Sequence, residues 1–484
     1  MTIDHLTQLV QEVTQQRCET QHIELKKAEK GVPERLFDTL SSFANQPGGG
    51  MILFGIDEKN GYAITGIKDA QELQTKVSEQ ALQMEPQLRP VFTVAKIDGK
   101  IVVAAEISEC EIHEKPCFYK GKGRLKGSYV RVGERDEPMT EYEVYSYEAF
   151  KRKLQDELTA VERADIDDLD SGLLQEYFTH LRQEKPNLSR ESNERVLSLL
   201  GFVDKHSGRP TIAGLMLFGR YPQAFYPQLC VTAMVVEGTE FGELGAGGER
   251  FIDNKRIEGT IPQMLQETLA FIRRNTRSAT IVEDGQRADR TDYPMNAVRE
   301  AVLNALIHRD YSFHTDGSPI QVILFSDRLE IENPGGLYGR ITIDMLGKAK
   351  ADTRNPYIAG AIEILGDTEN RYSGIPTMRR ELAAAGLPDP VFENARGAFK
   401  IIIKKPDWNS MDVKAQRLLS FCSTPRSREE IADFLEINSV YHAVKKYVKP
   451  LLKDGRLVMT LPDKPQSSNQ KYVTARAKRE TSNG

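Results

Sequence analysis

The chain has 484 residues, 39% apolar and 28% charged, so length alone suggests roughly three or four domains and composition excludes global disorder. Its net charge is −5, from 65 Lys+Arg against 70 Asp+Glu, which argues against a uniformly basic nucleic-acid binder. The longest apolar runs are strand-sized, the first 16 residues are polar and acidic, and the five cysteines form no Cys-x-x-Cys pair. Neither a membrane span, a secretory signal, a disulfide framework nor a zinc ribbon is expected, and the compartment expected is a reducing cytoplasm.

Along residues 1–150 the pattern predicts an α/β unit. A helix is expected over residues 1–16 and a short strand over 23–26. A second helix should open at Pro33, with Leu36, Phe37, Leu40, Phe43 and Ala44 at a 3.6-residue period. Pro47 and Gly48 to Gly50 stop it, and a buried strand follows over 51–56. Strands over 91–97 and 101–107 flank an Asp98-Gly99 hairpin turn, and another is expected over 127–132.

On a strand Glu24 and Lys26 point to one face, ~7 Å apart. Glu19 lies just upstream, and Asp57 stands where strand 51–56 runs out. Three converging carboxylates with a lysine beside them suit Mg²⁺ or Mn²⁺ and metal-activated water for phosphodiester cleavage, the lysine offsetting charge on the phosphate. By spacing alone the same residues also read as exposed strand-edge charges.

The ordered combination of Glu19, Glu24 and Lys26, Ser42-Phe43-Ala44-Asn45, Gly48 to Gly50, Leu53-Phe54-Gly55-Ile56-Asp57 and Gly127-Ser128-Tyr129-Val130-Arg131-Val132-Gly133 resembles the AlbA-like domain of Schlafen proteins over about residues 15–145. That resemblance implies a nucleic-acid-binding or nuclease domain with Glu19, Glu24 and Asp57 as the metal-holding triad. Some members cut tRNA and rRNA, whereas many bacterial relatives are described only as DNA-binding or regulatory. Lys120, Lys122, Arg124, Lys126 and Arg131, interleaved with Phe118, Tyr119 and Tyr129, form a basic strip that suits a nucleic-acid backbone.

A charged helical connector is expected over 150–170, then two helices and strands over 211–218 and 229–236, with 242–248 a glycine-rich mobile loop. From 289 to 405 the pattern is a helix, a strand pair, a glycine-rich loop, a second helix and a closing strand. Glu300, Asn304 and His308 fall at i, i+4 and i+8 on the helix over 296–307, one polar stripe on an otherwise apolar element. The segment from Arg299 to Tyr311 resembles the N-box of GHKL-type ATPases in the divergent form labelled RecG-like C-terminal. Asn333, Gly335 and Gly336 match the first glycine box, with Asn333 where the family has an adenine-reading aspartate. Tyr372-Ser373-Gly374-Ile375 matches the second. The resemblance implies ATP, Mg²⁺ held by Asn304, water polarised by Glu300, and Gly335 and Gly374 loops around the nucleotide. The departures point to nucleotide binding rather than efficient hydrolysis. No P-loop motif exists, so no helicase motor is expected.

Residues 412–484 carry 14 Lys+Arg against 8 Asp+Glu, a net of +6, leaving 51 against 62 elsewhere. Three short helices and a β-hairpin there predict a winged helix with Tyr441, Lys445 and Lys446 on the recognition helix. The expected organisation is thus α/β and α+β multidomain: an AlbA-like unit (1–150), a middle region (151–288), a GHKL-like α/β sandwich (289–405), a winged helix (412–475) and a disordered tail (476–484). Two functions follow. One is a metal-dependent endonuclease, acting on structured RNA such as tRNA and coupled to a nucleotide-binding module. The other is an ATP-binding transcriptional regulator that holds RNA or DNA without cutting it. A stress or phage-defence role fits either, and homo-oligomerisation stays open.

Overall fold

The computed structural model describes the chain except residues 30, 32, 244–250, 277, 284–285, 349–351, 367–373, 396, 406–410, 436, 438, 454, 463–464, 466, 468 and 476–484. The expected disordered tail, most of the 242–248 loop, and Tyr372 and Ser373 of the second glycine box lie outside the described residues.

The N-terminal unit is a four-stranded mixed sheet in the order Ile23–Lys26, Gly50–Phe54, Lys100–Ile107, Val91–Ile97. The first pair is parallel and so needs a crossover, which helix Phe37–Asn45 supplies. Ile52, Leu53 and Phe54 are all buried because both faces are covered. Leu6, Val10 and Val13 of helix Ile3–Gln16 pack on one side, Leu40, Phe43 and Ala44 on the other. The glycine run permits a close approach: a Cβ on Gly50 would stand 2.4 Å from the Phe43 ring. The second helix begins at Phe37 rather than Pro33, and the Leu36 N–H goes to Gln80 Oε1 at 2.8 Å. The strand expected over 51–56 breaks at Gly55, whose φ of 101° turns the chain. Asp98 and Gly99 have φ of 51° and 79°, the positive pair that a tight hairpin turn requires.

The connector is helical earlier than expected. Helix Glu141–Arg152 opens on a Thr140/Glu143 capping box and ends at Lys153 with φ 52°. Between it and helix Ser171–Glu184 only single turns form, and Asp165 and Asp168 bond their own backbone. The segment expected as strand 211–218 is instead helix Ile212–Phe218, buried throughout and capped by Thr211, whose hydroxyl accepts the Gly214 N–H.

A six-stranded sheet forms the second core, in the order Asp253–Ile257, Val231–Val235, Ile320–Leu324, Arg328–Pro334, Ala398–Lys404, Val391–Ala395. All its ladders are antiparallel except that between Val231–Val235 and Ile320–Leu324. Two of its strands come from before residue 288, so the sheet and its core run across the division expected at 288/289. Helices Met295–His308 and Ile261–Asn275 contribute their apolar faces to that core.

The C-terminal unit has helices Met411–Phe421 and Arg428–Phe434, then Val440–Ala443 running through a wider turn at Val444–Val448 into Lys449–Lys453, and a Leu457–Met459/Tyr472–Thr474 hairpin. Leu418, Ile431, Leu435, Leu451 and Tyr472 fill its own small core. Among the described residues no helix is long and apolar enough to cross a membrane.

Candidate functional site

Helix Met295–His308 starts after Pro294 and turns Val298, Ala301, Val302 and Leu306 into the core. Glu300, Asn304 and His308 therefore share the remaining face, and that face lines a cavity of about 450 Å³. Asn333 reaches the same cavity from strand Arg328–Pro334, and Gly335 and Gly336 from the loop that follows. Gly374, first residue of helix Gly374–Ala384, closes the far side. All seven residues expected at a nucleotide site thus meet around one cavity of the size that ligands occupy.

The glycines are there for proximity. A Cβ on Gly374 would sit 2.9 Å from Asn304 Nδ2 and 3.0 Å from Glu300 Oε2. Gly335 has φ 104°, and a Cβ there would stand 2.6 Å from Asp310 Cβ. Asn333 is 4% exposed, and its Oδ1 has no hydrogen-bond partner among the described residues. Burial, aided by the Arg354 charge, pushes the His308 imidazole down to about 4, so it is neutral at physiological pH.

Arg354 in the cavity wall, and Tyr142 and Asn355 behind it, escaped the motif reading. Arg354, 5% exposed, pairs with the buried Asp310, which also accepts the Tyr142 hydroxyl and the Ser312 N–H, each at 2.8 Å. Burial works to raise the Asp310 carboxyl, but the Arg354 charge, the Ser312 N–H and the Tyr142 hydroxyl together hold it below the ordinary range. Asn355 Nδ2 donates to the Ile307 and Arg309 carbonyls at 2.8 and 2.7 Å, tying the next helix, Pro356–Ile364, to the end of Met295–His308. The signal available was Arg-Asn-Pro, a proline opening a helix after an arginine with no surface role.

In the N-terminal unit the carboxylates do not gather as a metal triad. Glu24 meets Arg131 at 2.8 Å and also pairs with Lys26; Glu19 lies 3.7 Å from Arg131 and accepts the Leu25 N–H at 2.8 Å. Asp57 pairs instead with Lys27 at 2.9 Å, and that ammonium holds its carboxyl below the usual range. Among the described residues no group of three or more His, Cys, Asp or Glu is placed to hold a metal ion. The cation in the expected metal position is a guanidinium, so the residues as arranged do not fit Mg²⁺ or Mn²⁺. Burial pushes the Glu19 carboxyl up to about 7, with the Glu24 charge adding to it and Leu25 N–H and Arg131 opposing.

Arg131 is therefore not part of the basic strip: it is 4% exposed and also pairs with Asp136 at 3.0 Å. Lys122 sits by Tyr129, donating to its hydroxyl at 2.9 Å, and Arg124 lies over the Phe118 ring while pairing with Glu148. Lys120 faces Glu85 at 3.2 Å, and Lys126 is exposed on short helix Gly123–Gly127. In the C-terminal unit Tyr441 is 69% exposed, with the Lys445 ammonium 5.7 Å from its ring and Lys446 exposed alongside.

Comparison with known proteins places names on these units. Residues 19–140 match the family profile described as "Schlafen, AlbA_2", and residues 317–403 the one described as "Putative ATP-dependent DNA helicase recG C-terminal". The chain carries a Schlafen AlbA_2 domain and a RecG-like C-terminal HATPase domain. Residues 414–474 match "Filamentation induced by cAMP protein Fic-like, C-terminal domain", and residues 147–232 match a domain of unknown function, DUF8451. The helix bearing Glu300, Asn304 and His308 lies upstream of the RecG-like match. Among solved structures, the DIP2311 protein from Corynebacterium diphtheriae is 19% identical over 98% of this chain and 97% of its own, with a TM-score of 0.40. The N-terminal domain of a RecG-related "Putative ATP-dependent DNA helicase" from Nitrosomonas europaea is 28% identical over 28% of this chain and 92% of its own, with a TM-score of 0.23. The search of curated proteins found no match.

Proposed function

We propose that the chain is an ATP-binding regulator that holds nucleic acid through its Schlafen AlbA_2 domain and its basic, winged-helix-like C-terminal unit. The observation that carries the reading is the convergence on one cavity of seven residues drawn from positions 300 to 374. Asn333 Oδ1, without a partner among the described residues, is an acceptor for a donor such as the adenine amine. Gly335, Gly336 and Gly374 leave room for ribose and phosphate, and the start of helix Gly374–Ala384 offers backbone N–H groups to an anion. Glu300 and Asp352 make the lining acidic, so a polyphosphate needs a divalent cation with it; Asn304 is the residue that would hold Mg²⁺. That ion supplies charge neutralisation for the phosphates. Calorimetry with ATP and Mg²⁺ should show binding to the full chain, and Asn304→Ala should weaken it at least about ten-fold, the loss expected for one charge-assisted contact. Absence of any ATP binding to the unmutated chain would sink the reading.

The second reading, a Schlafen-like endonuclease acting on structured RNA such as tRNA, is favoured by Glu19 and Glu24 lying beside Lys26 and Arg131 at the end of strand Ile23–Lys26. Incubating the chain with tRNA, rRNA and DNA, with Mn²⁺ or EDTA, separates the two. Retained binding without cleavage in any metal supports the regulator, and cleavage lost in Glu24→Ala supports the nuclease.

A further inference from the structure

The two ends of the cavity differ. At one, Gly374 presses on Asn304 and Glu300, and an 11-residue helix begins. His308 lies two helical turns from Glu300, ~12 Å along the axis, and the Arg354 charge acts on it there. Asp310, bonded to Arg354, donates its N–H to the Pro334 carbonyl at 3.1 Å, next to Asn333, and Arg354 Nη2 reaches the Gly336 carbonyl at 3.3 Å. Arg354 and Asn333 therefore share the end opposite the Gly374 helix.

At that shared end two buried polar atoms lack partners among the described residues: the acceptor Asn333 Oδ1 and the donor Arg354 Nε. Both residues line the cavity and are about nineteen-twentieths buried. Leaving such groups unsatisfied is costly, and a ligand that supplies a donor beside an acceptor removes both costs at once. The adenine edge offers that pair: the 6-amino group as donor, with ring N1 or N7 next to it as acceptor. A phosphate offers acceptors only and would leave Asn333 Oδ1 unmet.

Building on the ATP-binding reading above, we propose that Arg354 is a second base-reading residue, serving an adenine ring nitrogen while Asn333 takes the amine. Its guanidinium is positioned by three groups. Asp310 holds one nitrogen, Cζ lies over the Tyr338 ring 4.8 Å from its centroid, and Tyr142 braces Asp310 from helix Glu141–Arg152. Tyr142 is thus a positioning residue contributed from outside the RecG-like match.

The test is a ligand-by-residue cycle on the full chain, titrating ATP, 1-deaza-ATP and 7-deaza-ATP with Mg²⁺ by calorimetry. One of the two analogues should bind the unmutated chain about ten-fold more weakly than ATP, the worth of one hydrogen bond to a charged donor. Arg354→Lys keeps a cation against Asp310, so the fold survives, but it should bind ATP and that analogue equally. Tyr142→Phe, which leaves the Arg354–Asp310 pair intact, should narrow the same ratio. A general loosening of the site would weaken every ligand alike and leave the ratio unchanged, which overturns the proposal. So does equal binding of all three ligands by the unmutated chain. If that chain binds ATP but shows no ratio, only this inference falls; if it binds no nucleotide, the ATP-binding reading falls with it.

Discussion

Arg131 stands among Glu24, Asp136 and Glu19 at 2.8, 3.0 and 3.7 Å, and a divalent ion could enter only by displacing a side chain that is almost wholly buried. Removing it leaves Lys26 as the one cation paired with Glu24 among the described residues and takes the guanidinium from Glu19 and Asp136. Arg131→Met should therefore destabilise the chain by about 3–5 kcal/mol in urea unfolding, the cost of breaking a buried pair from one side. A surface basic residue such as Lys126 replaced by Met should stay within ~0.5 kcal/mol. Glu157 gives the pH counterpart. Its buried carboxylate accepts the Tyr357 and Ile358 N–H groups at 3.0 and 2.9 Å, yet burial outweighs them and lifts its pKa from 4.5 to about 7. Between those values the folded state keeps the proton that the unfolded state has lost. Its contribution is therefore whole below pH 4.5 and falls away as pH rises to 7. The difference in melting temperature between wild type and Glu157→Gln should shift against the wild type across that interval. A pH-independent difference would show that Glu157 stays charged in the fold.

At the scale of elements, the C-terminal unit can be tested by removal, since it fills its core with its own side chains. Deleting residues 412–484 should lower nucleic-acid affinity and flatten its dependence on salt, because a net charge of +6 leaves with it. Unchanged affinity and slope would assign that unit to protein contact. The elements that were legible in advance have a strong local signal: the Asp98-Gly99 turn and the period of helix Met295–His308. The polar stripe of that helix could be read because three polar side chains recur every fourth residue against an apolar background. Helix Ile212–Phe218 was not legible, because seven consecutive buried residues carry no period and suit a core strand equally. The role of Arg131 was hidden for a different reason. It alternates along strand Tyr129–Val132 as a surface cation would, and only the tertiary fold brings Glu24 to it. Likewise nothing local in Tyr142 or Arg354 announces Asp310, which stands 168 residues from one and 44 from the other.

For the whole molecule, helix Glu141–Arg152 joins the two larger parts. It pairs with the basic strip through Glu148 and Arg124, and with the cavity wall through Tyr142 and through Phe150, which meets the Tyr338 ring edge-on at 5.5 Å. The six-stranded sheet binds the other regions as firmly, and it has a consequence in time. The Thr232 hydroxyl bonds the Ile320 carbonyl 88 residues further along, across the one parallel ladder of that sheet. At about 5–20 residues per second a ribosome takes roughly 4–18 s to deliver the later strand after the earlier one. Through that interval Val231–Val235 and Asp253–Ile257 form at most a hairpin, with one flank of Val231–Val235 unpaired. Such a flank is a template for other nascent chains. A chaperone bound between the emergence of residue 257 and that of residue 324 would shield it, and synthesis without one should divert chains into aggregates before the nucleotide cavity exists.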